Sequence, residues 1–177
     1  MFSIFRTLFF LGALSYAACS PLSMISRTPR SAPLPPPEFE LVFICNLFFD
    51  IPSDFSIVTP KWTRVTLPIT GGNWTTPEGK LIATVVPGIG GEWGKVDASG
   101  TLFVDSVYFV QFVHDKKYAY SYLDGYGVPS ISDNGRAIIE TDSPKYAGLN
   151  NITFFAPGIL TEGLLVSPHW APVNNLG

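Results

Sequence analysis

Two cysteines and two histidines are all the thiol and imidazole that this chain of 177 residues has to offer a metal. The histidines, His114 and His169, stand far apart, with no cysteine or carboxylate pattern around them. The sequence therefore points to no metal site, and nothing in it calls for another cofactor. Charge is scarce as well. Charged residues make up 14% of the chain and the formal net charge is −3. With 46% hydrophobic residues, this is not the composition of a solvated disordered chain. The lack of a basic cluster argues against nucleic acid as a partner, and against a surface held on anionic lipid by lysines and arginines. Helical periodicity is missing over any long stretch. No serine sits in a nucleophile elbow, and the glycines of "PGIGGEWG" (87–94) precede no helix that could present amides to a phosphate.

What is present begins with a leader-like end. One positive charge at Arg6 precedes "TLFFLGALSYAA", an apolar stretch short for a bilayer span, and Ala17, Ala18 and Ser20 offer cleavage points. Residues 1–20 read as an export signal and residues 21–37, rich in Pro and Ser, as an extended linker. Residues 38–170 form the domain and 171–177 a tail. A retained membrane anchor is the competing reading of the first segment. Otherwise the protein enters the secretory pathway with no stable membrane span after cleavage. The triplets at Asn73 and Asn151 fit the glycan acceptor pattern and agree with export. Once Cys19 is removed, Cys45 is the only thiol; set among alternating apolar residues, it reads as buried and inert rather than as a nucleophile.

Strand signals fill the domain. "EFELVFICNLFF" alternates Phe39, Leu41, Phe43, Cys45 and Leu47 on one face. "WTRVTLPI" reads as a strand ending at the Gly71-Gly72 turn, and "GKLIATVVPG" as one stopped by Pro87-Gly88. "TLFVDSVYFVQFV", "KKYAYSYLDG", "GRAIIET", "NITFFAP" and "GLLVSPHW" complete the set, with residues 124–136 as a mobile loop in preference to a short helix or lid. The expected fold is all-β, a single antiparallel β-barrel or sandwich. A closed barrel has no exposed edges and can hold a small ligand.

The informative residues are polar ones set in apolar strands. Asp105, if it points inward, needs a partner, and Arg64 can supply one; the pair is either an internal salt bridge or part of a site. Glu92 and Trp93 flank a glycine-rich turn at the barrel rim. Tyr118, Tyr120 and Tyr122 share one strand face, and Tyr108 belongs to the neighbouring strand. Phenol rings facing inward would suit an unsaturated or aromatic small molecule; facing outward, they would be amphipathic packing.

Four segments in order, "PITGGNW" (68–74), "GKLIATVVPGIGGEW" (79–93), "LFVDSVYF" (102–109) and "ETDSPKYAGLNNITFFAPG" (140–158), resemble the DUF3237 family, also called UPF0311. The resemblance implies a small barrel of the calycin or allene-oxide-cyclase type, related to dirigent barrels, which bind reactive hydrophobic intermediates and control how they cyclise or couple. It departs from the family pattern at Val107, where Arg is common, and at Gly148, where Trp is usual. Those losses imply a roomier, more apolar cavity.

The function expected on these grounds is that of a cofactor-free cyclase, a pericyclase of the hetero-Diels–Alder kind, in terpenoid or polyketide secondary metabolism. Tyr146 and Asn150, on a strand entry facing the cavity, would donate hydrogen bonds, with Asn150 as a turn cap the competing reading, and Glu92 or Asp105 would act as acid or base. Trp93, Tyr108, Tyr120 and Arg64 would bind the hydrophobic substrate. A secreted carrier of small hydrophobic ligands is the alternative. A single chain and a homodimer suit both readings.

Overall fold

A computed structural model describes residues 35–51, 55–128 and 131–173. The export-signal reading of residues 1–20, most of the proline-rich linker and the last residues of the tail lie outside the described residues.

The strands are β1 (Phe39–Phe49), β2 (Phe55–Val58), β3 (Thr63–Thr75), β4 (Leu81–Val96), β5 (Leu102–Phe112), β6 (Tyr118–Val128), β7 (Ser132–Thr141), β8 (Thr153–Phe155), β9 (Ile159–Thr161) and β10 (Leu164–Pro172). A 3-10 helix, Pro144–Asn151, precedes β8. Strand neighbours run β1-β10-β8-β7-β6-β5-β4-β3, and β3 pairs back onto β1. The result is a closed antiparallel barrel of eight strands, as the alternation of the sequence led us to expect. Closure leaves none of these strands as a free edge. β2 extends β1's side of the seam by pairing with Thr63–Thr66 of β3, and β9 forms a hairpin with β10.

Period-two alternation sorts the side chains. Phe43, Cys45, Leu47 and Phe49 of β1 point inward, as do Leu102, Val104, Ser106, Tyr108, Val110 and Phe112 of β5. Each large apolar side chain taken fully out of water contributes roughly 1.5–3 kcal/mol. Trp74, Phe112, Phe154, Ile69 and Ile139 are all of this kind.

Three expectations need correction. First, neither glycine-rich stretch ends a strand. β3 runs through Gly71-Gly72 and β4 through Pro87–Gly91, each with a register shift, so the glycines form bulges instead of turns. At Gly72 the backbone has φ +141°, and a Cβ would collide with the carbonyl oxygen of Asn46 on β1. Only glycine lets the seam close there. Second, residues 124–128 and 132–136 are strand, not part of a loop, helix or lid. β6 and β7 stay in register from Asp124↔Arg136 to Val128↔Ser132. Third, the segment before β8 is helical rather than a strand entry: Pro144 starts it with a fixed φ. β10 also runs to Pro172, two residues past the expected end of the domain, with Ala171 fully buried.

Candidate functional site: polar groups inside the barrel

The interior is apolar with a few polar groups set into it. Glu92 on β4 lies opposite Leu67 of β3 and Ser106 of β5. Directly paired residues share a sheet face, so all three point inward, and Glu92 is only 4% exposed. Burial pushes its carboxyl up to about 7, and the negative charge of Asp133 pushes the same way. Asp133, at the start of β7, is itself raised by burial, and its Oδ1 is enclosed without a partner. A carboxyl that changes protonation state near neutral pH can give or take a proton at little thermodynamic cost.

Next along β5, Tyr108 lies opposite Ser121 of β6. Its phenolic oxygen accepts the indole N–H of Trp74 at 3.3 Å and shares a hydrogen bond with the Cys45 thiol at 3.1 Å. Burial drives the thiol up to about 12 and the phenol well above its ordinary value, so both stay protonated. Cys45 is thus the inert thiol the sequence suggested.

His169 on β10 is fully buried opposite Phe43. Its Nδ1 lies 3.1 Å from the carbonyl oxygen of Ser167. A carbonyl can only accept, so the proton sits on Nδ1 and Nε2 presents a bare lone pair. Burial lowers the imidazole to about 4, which keeps it neutral. Nε2 has no partner, nor do the buried hydroxyls of Ser106, Ser121 and Ser167. Buried polar atoms are nearly always satisfied, by protein, ordered water or a bound molecule, so each of these atoms is open to such a partner. Phe43 is stacked between Trp74 (4.6 Å, 28°) and His169 (4.4 Å, 24°), which fixes the imidazole plane.

Of the expected site residues, the interior therefore brings together Glu92 and Tyr108. Tyr146 stands apart, within the 3-10 helix at the barrel end, where it stacks on Phe112 (4.1 Å) and lines a pocket of about 330 Å³. Asp105 falls between the inward Val104 and Ser106, so alternation turns it out, and it accepts a hydrogen bond from Tyr122 at 3.0 Å. Arg64 is outside as well, with its guanidinium over the Trp62 ring, so no buried Arg64–Asp105 pair exists. Trp93 is 44% exposed, on the opposite face from Glu92. Tyr120 lies on the outer face against Phe109, with Tyr118 and Tyr122 beside it, because Ala119, Ser121 and Leu123 take the inner positions.

Asn150 does not face a cavity. Its Oδ1 accepts the N–H of Thr141, and its Nδ2 donates to the carbonyls of Thr141 and Ala147. It brackets the helix to the end of β7. Asn73 receives a hydrogen bond from Asn46 in a strand paired on both sides, whereas Asn151 is exposed. The single hollow expected to hold Tyr146, Asn150, Glu92 and Asp105 is thus replaced by two separate places.

Sequence reasoning passed over His169 except as a metal ligand, and missed Ser106, Ser121, Ser167 and Asp133. Counting apolar residues on each face of β5 would have found Ser106, because the face with Leu102, Val104, Val110 and Phe112 is the more apolar one. Among the described residues, no three of His, Cys, Asp and Glu come together as a metal-binding group.

Fold and interior together define a class: a small closed antiparallel barrel with a few ionisable and hydroxyl groups inside an apolar wall. Residues 37–133 match the model of a family described as "Protein of unknown function (DUF3237)", and the chain belongs to that family. Solved structures share the fold. A conserved protein of unknown function from Rhodopseudomonas palustris superposes with a TM-score of 0.68 at 18% identity, over 77% of this chain and 98% of that one. A β-barrel-like protein from Acinetobacter baumannii AYE gives 0.62 at 21% identity, over 78% and 99%. A protein described as an enzyme from Penicillium herquei gives 0.61 at 22% identity, over 80% and 98%. A comparison with curated proteins finds no match.

Proposed function

We propose that the barrel is a cofactor-free cyclase that holds a reactive hydrophobic intermediate and directs a pericyclic, hetero-Diels–Alder-type ring closure in secondary metabolism. The observation that carries this reading is Glu92: an acid–base group poised near neutrality, buried opposite the partnerless hydroxyl of Ser106 in an apolar wall. That the barrel from Penicillium herquei is described as an enzyme supports catalysis on this fold.

In this reading Glu92 moves the proton that generates or quenches the reactive species. Serine hydroxyls donate to the carbonyl oxygen as negative charge grows on it, each well-placed donor supplying about 3–4 kcal/mol. The neutral His169 accepts a substrate hydroxyl at Nε2. Phe43, Trp74 and Phe154 hold the apolar body, and confining both reacting ends removes up to roughly 7–11 kcal/mol of entropic barrier in ideal cases.

The test is to incubate the protein with dienes paired to enones or quinone methides, and to compare rate and product stereochemistry with and without it. Equal rates and identical product ratios would end the cyclase reading. A non-catalytic carrier is favoured by one observation: two of the four expected catalytic groups, Asp105 and Asn150, are engaged elsewhere. Saturable ligand binding without turnover would decide for it. We also propose secretion, on the apolar leader and the exposed sequon at Asn151; N-terminal sequencing of protein recovered from the medium tests it.

A further inference from the structure

The pocket of about 330 Å³ beside the 3-10 helix is lined neither by Glu92 nor by any of the partnerless groups, and shares only Phe43 and Trp74 with the interior described above. Its floor is the buried pair Phe43 and Trp74, and its walls include Ile82, Tyr146 and Leu149. Its volume lies at the lower end of the range of small-molecule sites, about 300–1,000 Å³. Two lysines line it, Lys80 just before β4 and Lys145 from the helix.

Neither forms a salt bridge among the described residues, although the chain as a whole carries more acidic than basic groups. The neighbouring carboxylates are already engaged. Asp142 is held by Lys117 at 2.9 Å, Asp115 accepts the Ser143 hydroxyl at 2.6 Å, and hydrogen bonding to Thr76 draws the Glu78 carboxyl below its ordinary range. Lys145 Nζ lies 5.4 Å from the centre of the Tyr146 ring, at the rim. An apolar cleft with two uncommitted cations at its lip is complementary to one kind of molecule.

We propose that this end of the barrel is a binding site for a free amphipathic carboxylic acid, its tail on Phe43 and Trp74 and its carboxylate between Lys80 and Lys145. The site does not include Glu92 and does not rest on the cyclase reading, although Phe43 and Trp74 border both.

Isothermal titration of the full chain with decanoate, decanol and decyltrimethylammonium tests it. Decanoate binds saturably, and decanol roughly tenfold more weakly, because it keeps the tail and lacks the charge. Added salt weakens decanoate and leaves decanol unchanged. Lys80→Ala with Lys145→Ala brings decanoate down to the affinity of decanol; both side chains are exposed, so the fold survives. Leu149→Trp fills the pocket and abolishes both, whereas Glu92→Gln changes neither. Equal affinity for decanoate and decanol, or an unaffected double variant, overturns the carboxylate. Saturable binding that survives Leu149→Trp, or no saturable binding at all, overturns the site.

Discussion

The indole N–H of Trp74 is directed at the phenolic oxygen of Tyr108, 3.3 Å away and wholly inside the barrel, with the rings edge to face at 87°. Cys45 meets the same oxygen, so one hydroxyl satisfies two buried groups on two other strands. Replacing Tyr108 with Phe leaves both without a partner and should destabilise the protein by about 1–3 kcal/mol. Combining Tyr108→Phe with Trp74→Phe should cost less than the sum of the two single changes, as urea unfolding of all four proteins will show. Strict additivity would mean the contact contributes nothing.

Glu92 should make the protein less stable as pH rises. Its carboxyl ionises near 4.5 in the unfolded chain and at about 7 when folded, so between those values the folded form holds the extra proton. Stability is therefore lost across that window and flat above it, by roughly 3 kcal/mol if the whole shift is expressed. Glu92→Gln should remove this loss: relative to the parent it gains stability at pH 8 and little at pH 4. The same variant should slow any turnover by about a hundredfold or more while keeping substrate affinity.

His169 acts in the opposite direction. Its imidazole takes a proton near 6.5 when unfolded and only at about 4 when buried. The unfolded chain binds the extra proton between those values, so stability falls as pH drops through them. His169→Phe, which keeps a flat ring against Phe43, should flatten the acid limb of a plot of melting temperature against pH. An unchanged acid limb would show that another group sets it.

Asn150 and Asp105 separate architecture from chemistry. Asn150→Ala removes two hydrogen bonds from the helix to Thr141 of β7 and one within the helix, and should cost about 1–3 kcal/mol without altering the rate per folded molecule. Asp105→Asn, on the outer surface, should change stability by less than about 0.5 kcal/mol and activity not at all. A selective loss of turnover in either variant would return that residue to the mechanism.

Much of the barrel could be read from alternation alone, because "EFELVFICNLFF" and "TLFVDSVYFVQFV" each have one face too apolar to leave in water. Glu92 was legible for a related reason: a carboxylate in a glycine-rich strand segment is out of place. Parity was harder. Both faces of β5 and β6 carry aromatics, so the rings of Tyr118, Tyr120 and Tyr122 did not say which side they took. The small inner residues Ala119 and Ser121 decide it, since the barrel interior has room for little more at those positions. The bulges were hidden for another reason. Glycine and proline signal a break in local geometry, and nothing local distinguishes a turn from a bulge whose strand resumes against a distant partner. His169 was passed over because its neighbours across the barrel come from β1, more than a hundred residues earlier in the chain.

That last distance bears on how the molecule is made. Among the described strands β1 is the first to leave the ribosome, yet one of its flanks belongs to β10, the last of them. The ring cannot be completed before Leu164–Pro172 has been made, and until that strand arrives the apolar face of β1 has no permanent cover on that side. Assembly is therefore a late and slow event, dominated by contacts distant in sequence. A nascent or truncated chain stopped before Leu164 should be a client for chaperones rather than a smaller barrel.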